Sequence, residues 1–136
     1  MPAGSKLSGI VSKRSRLSVP ETVERLKQEI NSAGAKLFTV VDHSGEAQSV
    51  GLSLRDTKLI LFGNPALGTR VMAEEPLAAL DLPLRVLVCQ DDSGAVWMTY
   101  IEPAWLADRY GLGTEAARPL RAVERIVGQV ADPAVE

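Results

Sequence analysis

The stretch Leu59-Ile-Leu-Phe-Gly-Asn-Pro-Ala-Leu-Gly-Thr-Arg-Val-Met72 joins a strand, a turn and the start of a helix. Four consecutive apolar residues, Leu59 to Phe62, favour a strand that is covered on both faces. Gly63 permits a sharp bend after this strand. Asn64 is a favoured N-cap, and Pro65 suits the first helical position because its missing N–H costs nothing there. We therefore predict a buried strand that leads directly into a helix capped by Asn64.

The start of this helix is also a candidate ligand site. Backbone N–H groups at a helix N-terminus favour anions. Thr69 and Arg70 follow one turn later, so one interpretation is a small polar or anionic ligand near Asn64, Thr69 and Arg70. The other is a capped turn with a solvated arginine. Leu67 and Val71 are four residues apart, and we expect both to face the core.

Composition restricts the class of protein. A chain of 136 residues, 46% hydrophobic and 24% charged, is typical of one soluble globular domain. A net charge of −2 argues against a general nucleic-acid binder. The apolar runs fall short of the roughly 20 residues that cross a bilayer. A single cysteine and an N-terminus without an apolar signal region predict a cytoplasmic protein. We expect no nucleic-acid, membrane or cofactor partner.

Two strands and two helices are predicted before the central stretch. Residues 9–18 read as a half-solvated edge strand, because charged residues suit exposed edges. Ser18-Val-Pro-Glu21 has the form of a capping box, and the helix that it starts should end at Gly34. Residues 36–42 are rich in β-formers and predict a second strand. Residues 46–50 predict one or two turns of helix.

A hairpin and two helices are predicted after it. Residues 82–90 and 95–101 alternate as strands around the turn Asp91-Asp-Ser-Gly94. A short helix follows at 103–110, and a longer one begins at Thr114. This order predicts an α+β domain of two layers, with helices on one face of a mostly antiparallel sheet. We place the domain at residues 9–131, between an N-terminal tail at 1–8 and a C-terminal tail at 132–136.

Several short motifs together resemble one known family. They are Asp42-His43, Phe62-Gly-Asn-Pro65, Gly68-Thr69, Met72, Ala79-Leu-Asp-Leu-Pro83, and Tyr100 followed by Pro103. In this order they resemble the domain of unknown function 302 family, over residues 9–112. The resemblance implies a fold of the TATA-binding-protein-like β-α-β4-α class, with helices over a curved antiparallel sheet. It implies no settled activity, and fold alone does not fix function. Cys89 departs from the family pattern, where an aromatic residue is common.

His43 is the one histidine and the main candidate for acid–base chemistry. Paired with Asp42 or Asp81, it could act as a general base near neutral pH. Adjacent residues in a strand point to opposite faces, so Asp42 need not touch His43. The alternative is that His43 closes a loop through hydrogen bonds. Asp81 is either a polar site residue or a cap for its turn, and we favour the cap.

The remaining candidates are Tyr100 and Cys89. Tyr100 should face the core, where its hydroxyl needs a partner. Cys89 reads as a buried inert thiol. One cysteine and one histidine do not supply a metal site, so none is predicted. The leading hypothesis is a module that binds a small ligand or a partner without catalysis, and we predict that His43, Asn64 and Thr69 surround one concavity. A small enzyme and a purely structural domain are the alternatives.

We also expect a homodimer. Trp97 and Trp105 lie outside the predicted core face, and aromatic residues are enriched at interfaces. Two-fold dimers are the commonest soluble assemblies. The alternative is that the C-terminal helix, at residues 120–130, folds back over both tryptophans.

Overall fold

The computed structural model describes residues 7–134, which form a two-layer α+β domain, as predicted. All strand pairs in this range are antiparallel, and the sheet order is β1-β5-β4-β3-β2. The strands are β1 (Ile10–Ser15), β2 (Lys36–Asp42), β3 (Thr57–Gly63), β4 (Leu84–Gln90) and β5 (Val96–Ile101). Residues 1–6 of the predicted N-terminal tail and 135–136 of the predicted C-terminal tail lie outside the described residues.

Helices connect the strands and end the described chain. They are α1 (Val19–Ser32), α2 (His43–Ser49), α3 (Pro65–Glu74), α4 (Pro103–Arg109), α5 (Thr114–Ala117) and α6 (Ala122–Val130). Two 3₁₀ segments, Pro76–Asp81 and Arg118–Arg121, follow α3 and α5. Within residues 7–134, no helix has the length and apolar character needed to cross a membrane.

The predicted helix boundaries are confirmed where a cap defines them. Ser18 Oγ accepts the Glu21 N–H at 3.2 Å, and a Glu21 carboxylate oxygen accepts the Ser18 N–H at 3.1 Å, which completes the capping box of α1. Gly34 follows α1 with φ +73°, a conformation that favours glycine. Asn64 caps α3 as expected.

One face of the sheet carries the core. Apolar side chains of α1 and α6 pack on alternate residues of the central strands, because successive side chains of a strand point to opposite faces. The buried strand residues on this face include Ile60, Phe62, Val86, Val88 and Met98. Tyr100 belongs to the same cluster with 7% of its surface exposed, so its predicted core-facing position is confirmed.

Within residues 7–134, the opposite face of the sheet lies outside the core cluster that α1 and α6 cover. Residues paired directly across strands share a face, and the pairs Leu59–Leu87 and Leu87–Thr99 continue this face across three strands. Leu59 and Leu61 are half-buried there and lie outside the core cluster. The prediction that β3 is covered on both faces is therefore wrong within the described chain. We call the surface formed by Leu59, Leu61, Leu87 and Trp97 the helix-free face, since none of these residues belongs to the core that α1 and α6 cover.

The C-terminal region differs from the single helix predicted. Pro119 lies in a 3₁₀ segment that separates α5 from α6, because proline fits a first turn but not a helix interior. Val123, Ile126 and Val127 of α6 face the core. Because α6 packs on α1 and β4 on the core side, it does not cover Trp97 on the helix-free face. The alternative to dimerisation, in which the C-terminal helix covers both tryptophans, is therefore wrong for Trp97.

Residues beyond α6 are attached to the first strand. The Asp132 N–H donates to the carbonyl of Arg14 at 2.8 Å, and its carboxylate pairs with Arg16 at 3.0 Å. The start of the predicted C-terminal tail is thus held against β1.

Candidate functional site

The main cavity described in residues 7–134 lies where β3 ends and β4 begins. It has a volume of about 320 Å³ and sits between α3, α6 and the turn that leads from α1 into β2. Pro65, Leu67, Gly68 and Thr69 contribute the first turns of α3 to its wall. Cavities that hold small ligands begin at about 300 Å³. The cavity is therefore large enough for a small molecule.

The wall of this cavity is mostly apolar. Phe62, Val71 and Ile126 are buried within it, each with 3% or less of its surface exposed. Phe38 and Leu67 lie at its mouth, with 44% and 36% of their surfaces exposed. Of the two residues predicted to face the core, only Val71 is buried, because Leu67 lies one turn nearer the open mouth of the cavity. Contact with such walls favours the apolar part of a ligand.

Three polar side chains interrupt the apolar wall: Asn64, Thr69 and Arg125. Asn64 Oδ1 accepts the N–H groups of Ala66 at 3.0 Å and Leu67 at 3.2 Å. Its side-chain nitrogen makes no hydrogen bond within residues 7–134. Thr69 Oγ1 donates to the carbonyl of Pro65 at 2.6 Å, which leaves the hydroxyl oxygen able to accept.

The helix N-terminus itself offers little to an anion. Asn64 satisfies the first two N–H groups of α3, and the Gly68 N–H donates to the Asn64 carbonyl at 2.8 Å. Pro65 has no N–H. The expectation that outward-pointing backbone N–H groups form an anion site here is wrong, because the cap uses them.

Gly68 is a glycine in the interior of α3. Glycine at such a position costs roughly 0.5–1 kcal/mol relative to alanine. Its φ is not positive, and no protein atom lies within 4 Å of where a Cβ would be. Neither backbone conformation nor packing therefore requires glycine, and the missing side chain leaves the cavity wider.

The structure places Asn64 and Thr69 at one cavity but separates His43 from them. Lys36 pairs with Gly63 at the cavity end of β3, whereas Asp42 pairs with Lys58 at the other end. Five residues of strand separate these ends, which is about 16 Å at the usual rise per residue. The prediction of one concavity shared by His43, Asn64 and Thr69 is therefore wrong.

Asp42 is fully engaged by groups other than His43. Its carboxylate accepts from Lys58 Nζ at 2.9 Å, from Gly45 N–H at 2.9 Å and from Ser44 Oγ at 3.1 Å. The hydrogen bond from Lys58 is the largest cause that lowers the pKa of Asp42 to about 2, followed by that from Gly45. Asp42 thus caps α2 and holds β3, and the predicted acid–base pair with His43 is not formed.

Asp81 and Arg70 also lie outside the cavity wall. Asp81 accepts from the hydroxyl of Tyr110 and pairs with Arg109 at 3.6 Å, so it attaches the 3₁₀ segment after α3 to the end of α4. The favoured interpretation, that Asp81 caps its own turn, is wrong, because its carboxylate bonds to α4 instead. Asp81 lies near the cavity end of β3, and His43 follows Asp42 at the other end. Arg70 is exposed on α3, away from the cavity.

Tyr100 lines a second, smaller cavity of about 250 Å³. Lys13, Glu124 and Asp132 share it. Burial raises the pKa of the Tyr100 hydroxyl, and the nearby Glu124 carboxylate adds to this. The tyrosine is therefore a neutral group on the far side of α6 from the main cavity.

Cys89 lies on the helix-free side of the sheet beside Trp97, its cross-strand partner. It is buried, and this burial raises the pKa of its thiol. A thiol kept protonated is a poor nucleophile. Among the described residues, no three or more His, Cys, Asp or Glu side chains are grouped so as to hold a metal ion.

Arg125 is the site residue that sequence reasoning missed. It sits on α6 between residues that face the core, more than 50 residues away in sequence from Asn64. The inward spacing of Val123, Ile126 and Val127 gave no signal for it, because at about 100° per residue position 125 falls roughly opposite the centre of that buried face. The sequence could not show that this outer side of α6 borders a cavity with α3.

Comparison with known proteins gives the family. The model of the domain of unknown function DUF302 matches residues 11–130. The chain belongs to this DUF302 family. Part of the motif set that carries the resemblance lines the wall of the main cavity: Phe62-Gly-Asn-Pro65, Gly68-Thr69, Met72 and Leu82-Pro83. Asp42-His43 and Tyr100 lie elsewhere.

A solved structure agrees with the fold. The crystal structure of an uncharacterized DUF302 protein from Bacillus stearothermophilus superposes on this DUF302 chain with a TM-score of 0.77. The match covers 93% of this chain and 98% of that one, at 19% sequence identity. It therefore supports the fold alone.

Curated relatives are longer than this chain. Proteins named fluoride-specific ion channel FluC 1, from Brucella suis and Brucella abortus, are each 45% identical over 123 residues. These residues are 90% of this chain but 48% and 46% of the two relatives. The chain spans about half the length of the curated relatives it matches, so their name describes longer proteins and does not pass to this chain.

Proposed function

We propose that the cavity between α3 and α6 binds a small, largely apolar molecule, and that this DUF302 domain is a binding module without catalysis. Gly68 is the observation that carries the proposal. A glycine in a helix interior that neither conformation nor packing requires lowers stability. Because Gly68 also lines the main cavity, its missing side chain leaves room for a ligand there.

The chemistry of the wall supports binding over catalysis. Its polar side chains are an amide, a hydroxyl and a guanidinium, from Asn64, Thr69 and Arg125. General bases and nucleophiles in enzymes are mostly imidazole, carboxylate, thiol or activated amine groups. His43, which the alternative enzyme hypothesis needs, lies at the other end of β3.

Thermal unfolding with 1-octanol tests the proposal. A ligand that binds only the folded state raises the unfolding temperature. We expect 1-octanol to do so for the wild type and to have little effect on Gly68→Leu, whose side chain occupies the cavity. Gly128→Leu is the matched control, because Gly128 is another helix glycine with no atom within 4 Å of its Cβ position.

The proposal fails if 1-octanol stabilises Gly68→Leu as much as the wild type. It also fails if 1-octanol stabilises none of the three proteins.

We also propose that the chain forms a homodimer through the helix-free face. Leu59, Leu61 and Leu87 form an apolar surface there with Trp97, and exposed apolar patches are typical of interfaces. Arg14 lies over the Trp97 ring at 5.5 Å, and its buried Nε has no hydrogen-bond acceptor within residues 7–134.

Light scattering tests this proposal. We expect a dimer mass at micromolar concentration for the wild type and a monomer mass for Leu87→Asp. Leu80→Asp is the control, since Leu80 is 72% exposed on the 3₁₀ segment after α3, away from the sheet. A monomeric wild type, unchanged on dilution, would reject the dimer.

We propose a cytoplasmic location as well. A single cysteine, held as a buried free thiol, suits a reducing compartment. Fractionation of cells with an antibody against the chain would check it, and recovery in the membrane or periplasmic fraction would contradict it.

A further inference from the structure

We infer that the ligand of the main cavity is a short amphipathic carboxylate, of about eight to ten carbons, whose anionic head pairs with Arg125. This inference rests on the proposed function, because it names the class of molecule that the cavity holds.

The first argument is the charge of the wall. Arg125 is the one charged side chain among the residues that line the cavity. A cation beside an apolar wall suits a molecule with an apolar body and a single negative charge. A carboxylate accepts two parallel N–H bonds from a guanidinium, which makes this pair stronger than most.

Arg125 makes no hydrogen bond, ion pair or ring contact with other residues in the range 7–134. Most arginines of residues 7–134 contact a carboxylate, a carbonyl or an aromatic ring. Within that range only Arg70 and Arg125 make no hydrogen bond, ion pair or ring contact. Arg70 is solvated on the outer side of α3, whereas Arg125 borders the cavity.

The third argument is the position of the other polar groups. Asn64 lines the wall and has a side-chain nitrogen that makes no hydrogen bond within residues 7–134. Because Asn64 Oδ1 is used by the cap, its amide can only donate, and a carboxylate oxygen is a suitable acceptor. No carboxylate lines the wall to oppose an anion.

The fourth argument is size. A cavity of about 320 Å³ lies near the lower end of the range for small-ligand sites, which favours a short ligand over a long one. Octanoate has ten non-hydrogen atoms. The wall thus accommodates an eight-carbon chain, while the head remains at the exposed Arg125.

Calorimetric titration with octanoate and 1-octanol separates charge from apolar contact. We expect the wild type to bind octanoate more tightly than 1-octanol. Arg125→Gln should raise the dissociation constant of octanoate by about tenfold, because a charged hydrogen-bonded pair is lost. Binding of 1-octanol should stay unchanged in Arg125→Gln. Arg70→Gln is the matched control and should leave both ligands unaffected.

Ionic strength gives a second readout. Octanoate binding to wild type should weaken as salt is raised, because salt screens a partly exposed ion pair. Octanoate binding to Arg125→Gln should respond less.

The outcomes distinguish the two proposals. If octanoate and 1-octanol bind equally and Arg125→Gln changes neither, the inference about charge is overturned while the binding function stands. An equal loss of octanoate affinity in Arg70→Gln would also overturn it, since general surface charge would then explain the effect. If neither ligand binds the wild type, both proposals fail.

Discussion

Gly68→Ala separates the stability of α3 from its role at the cavity. Alanine is favoured over glycine in a helix interior by roughly 0.5–1 kcal/mol, because glycine loses more backbone freedom on folding. The new Cβ meets no protein atom within 4 Å, so no steric cost offsets this gain. We therefore expect the free energy of unfolding to rise by about 0.5–1 kcal/mol.

Urea denaturation measures this change, and thermal unfolding should show a rise of roughly 2–4 °C for a domain of this size. Gly128→Ala is the matched control in α6 and should gain a similar amount. Octanoate affinity should fall only in Gly68→Ala, because its methyl group enters the cavity. Destabilisation of Gly68→Ala beside a stabilised Gly128→Ala would refute the reasoning, since it would mean that protein atoms fill this position.

Three further substitutions test other parts of the structure. Asn64→Ala should lower the free energy of unfolding by about 1 kcal/mol in urea denaturation, because two N–H groups of α3 lose their acceptor. An unchanged urea midpoint would contradict the stabilising role of this cap. Gly9→Ala should lower the unfolding temperature, since its Cβ would lie 2.5 Å from the Trp105 ring at φ +74°, and equal stability would contradict this packing. Asp42→Asn should be less stable than wild type above pH 4, with the difference shrinking as pH falls from the ordinary pKa of 3.8 through the folded-state pKa of about 2, because Lys58 favours the ionised carboxylate only in the folded state; a difference at pH 2 as large as that above pH 4 would exclude this cause.

Local signals in the sequence account for much of the fold. The capping box at Ser18, the cap at Asn64 and the turn that ends at Gly94 depend on contacts between residues close in sequence, and the structure forms all three. Alternation along β4 and β5 places their core face correctly, because period two is a property of the strand itself.

Contacts between distant parts of the chain were less predictable. The apolar run from Leu59 to Phe62 reads as covered on both faces, but a sequence does not say which chain covers each face. His43 and Asn64 both follow strands, and only the antiparallel pairing of β2 with β3 shows that they lie at opposite ends. Arg125 reaches the cavity through the packing of α6, which no short motif encodes.

The central claim is that a ligand binds between α3 and α6. An amide chemical-shift titration of the wild type with octanoate tests it most directly, because each residue reports separately. We expect the largest shifts at Gly68, Thr69 and the Asn64 side-chain amide, with little change at His43. Shifts centred on the helix-free face, at Leu87 and Trp97, or spread evenly over the domain, would contradict it.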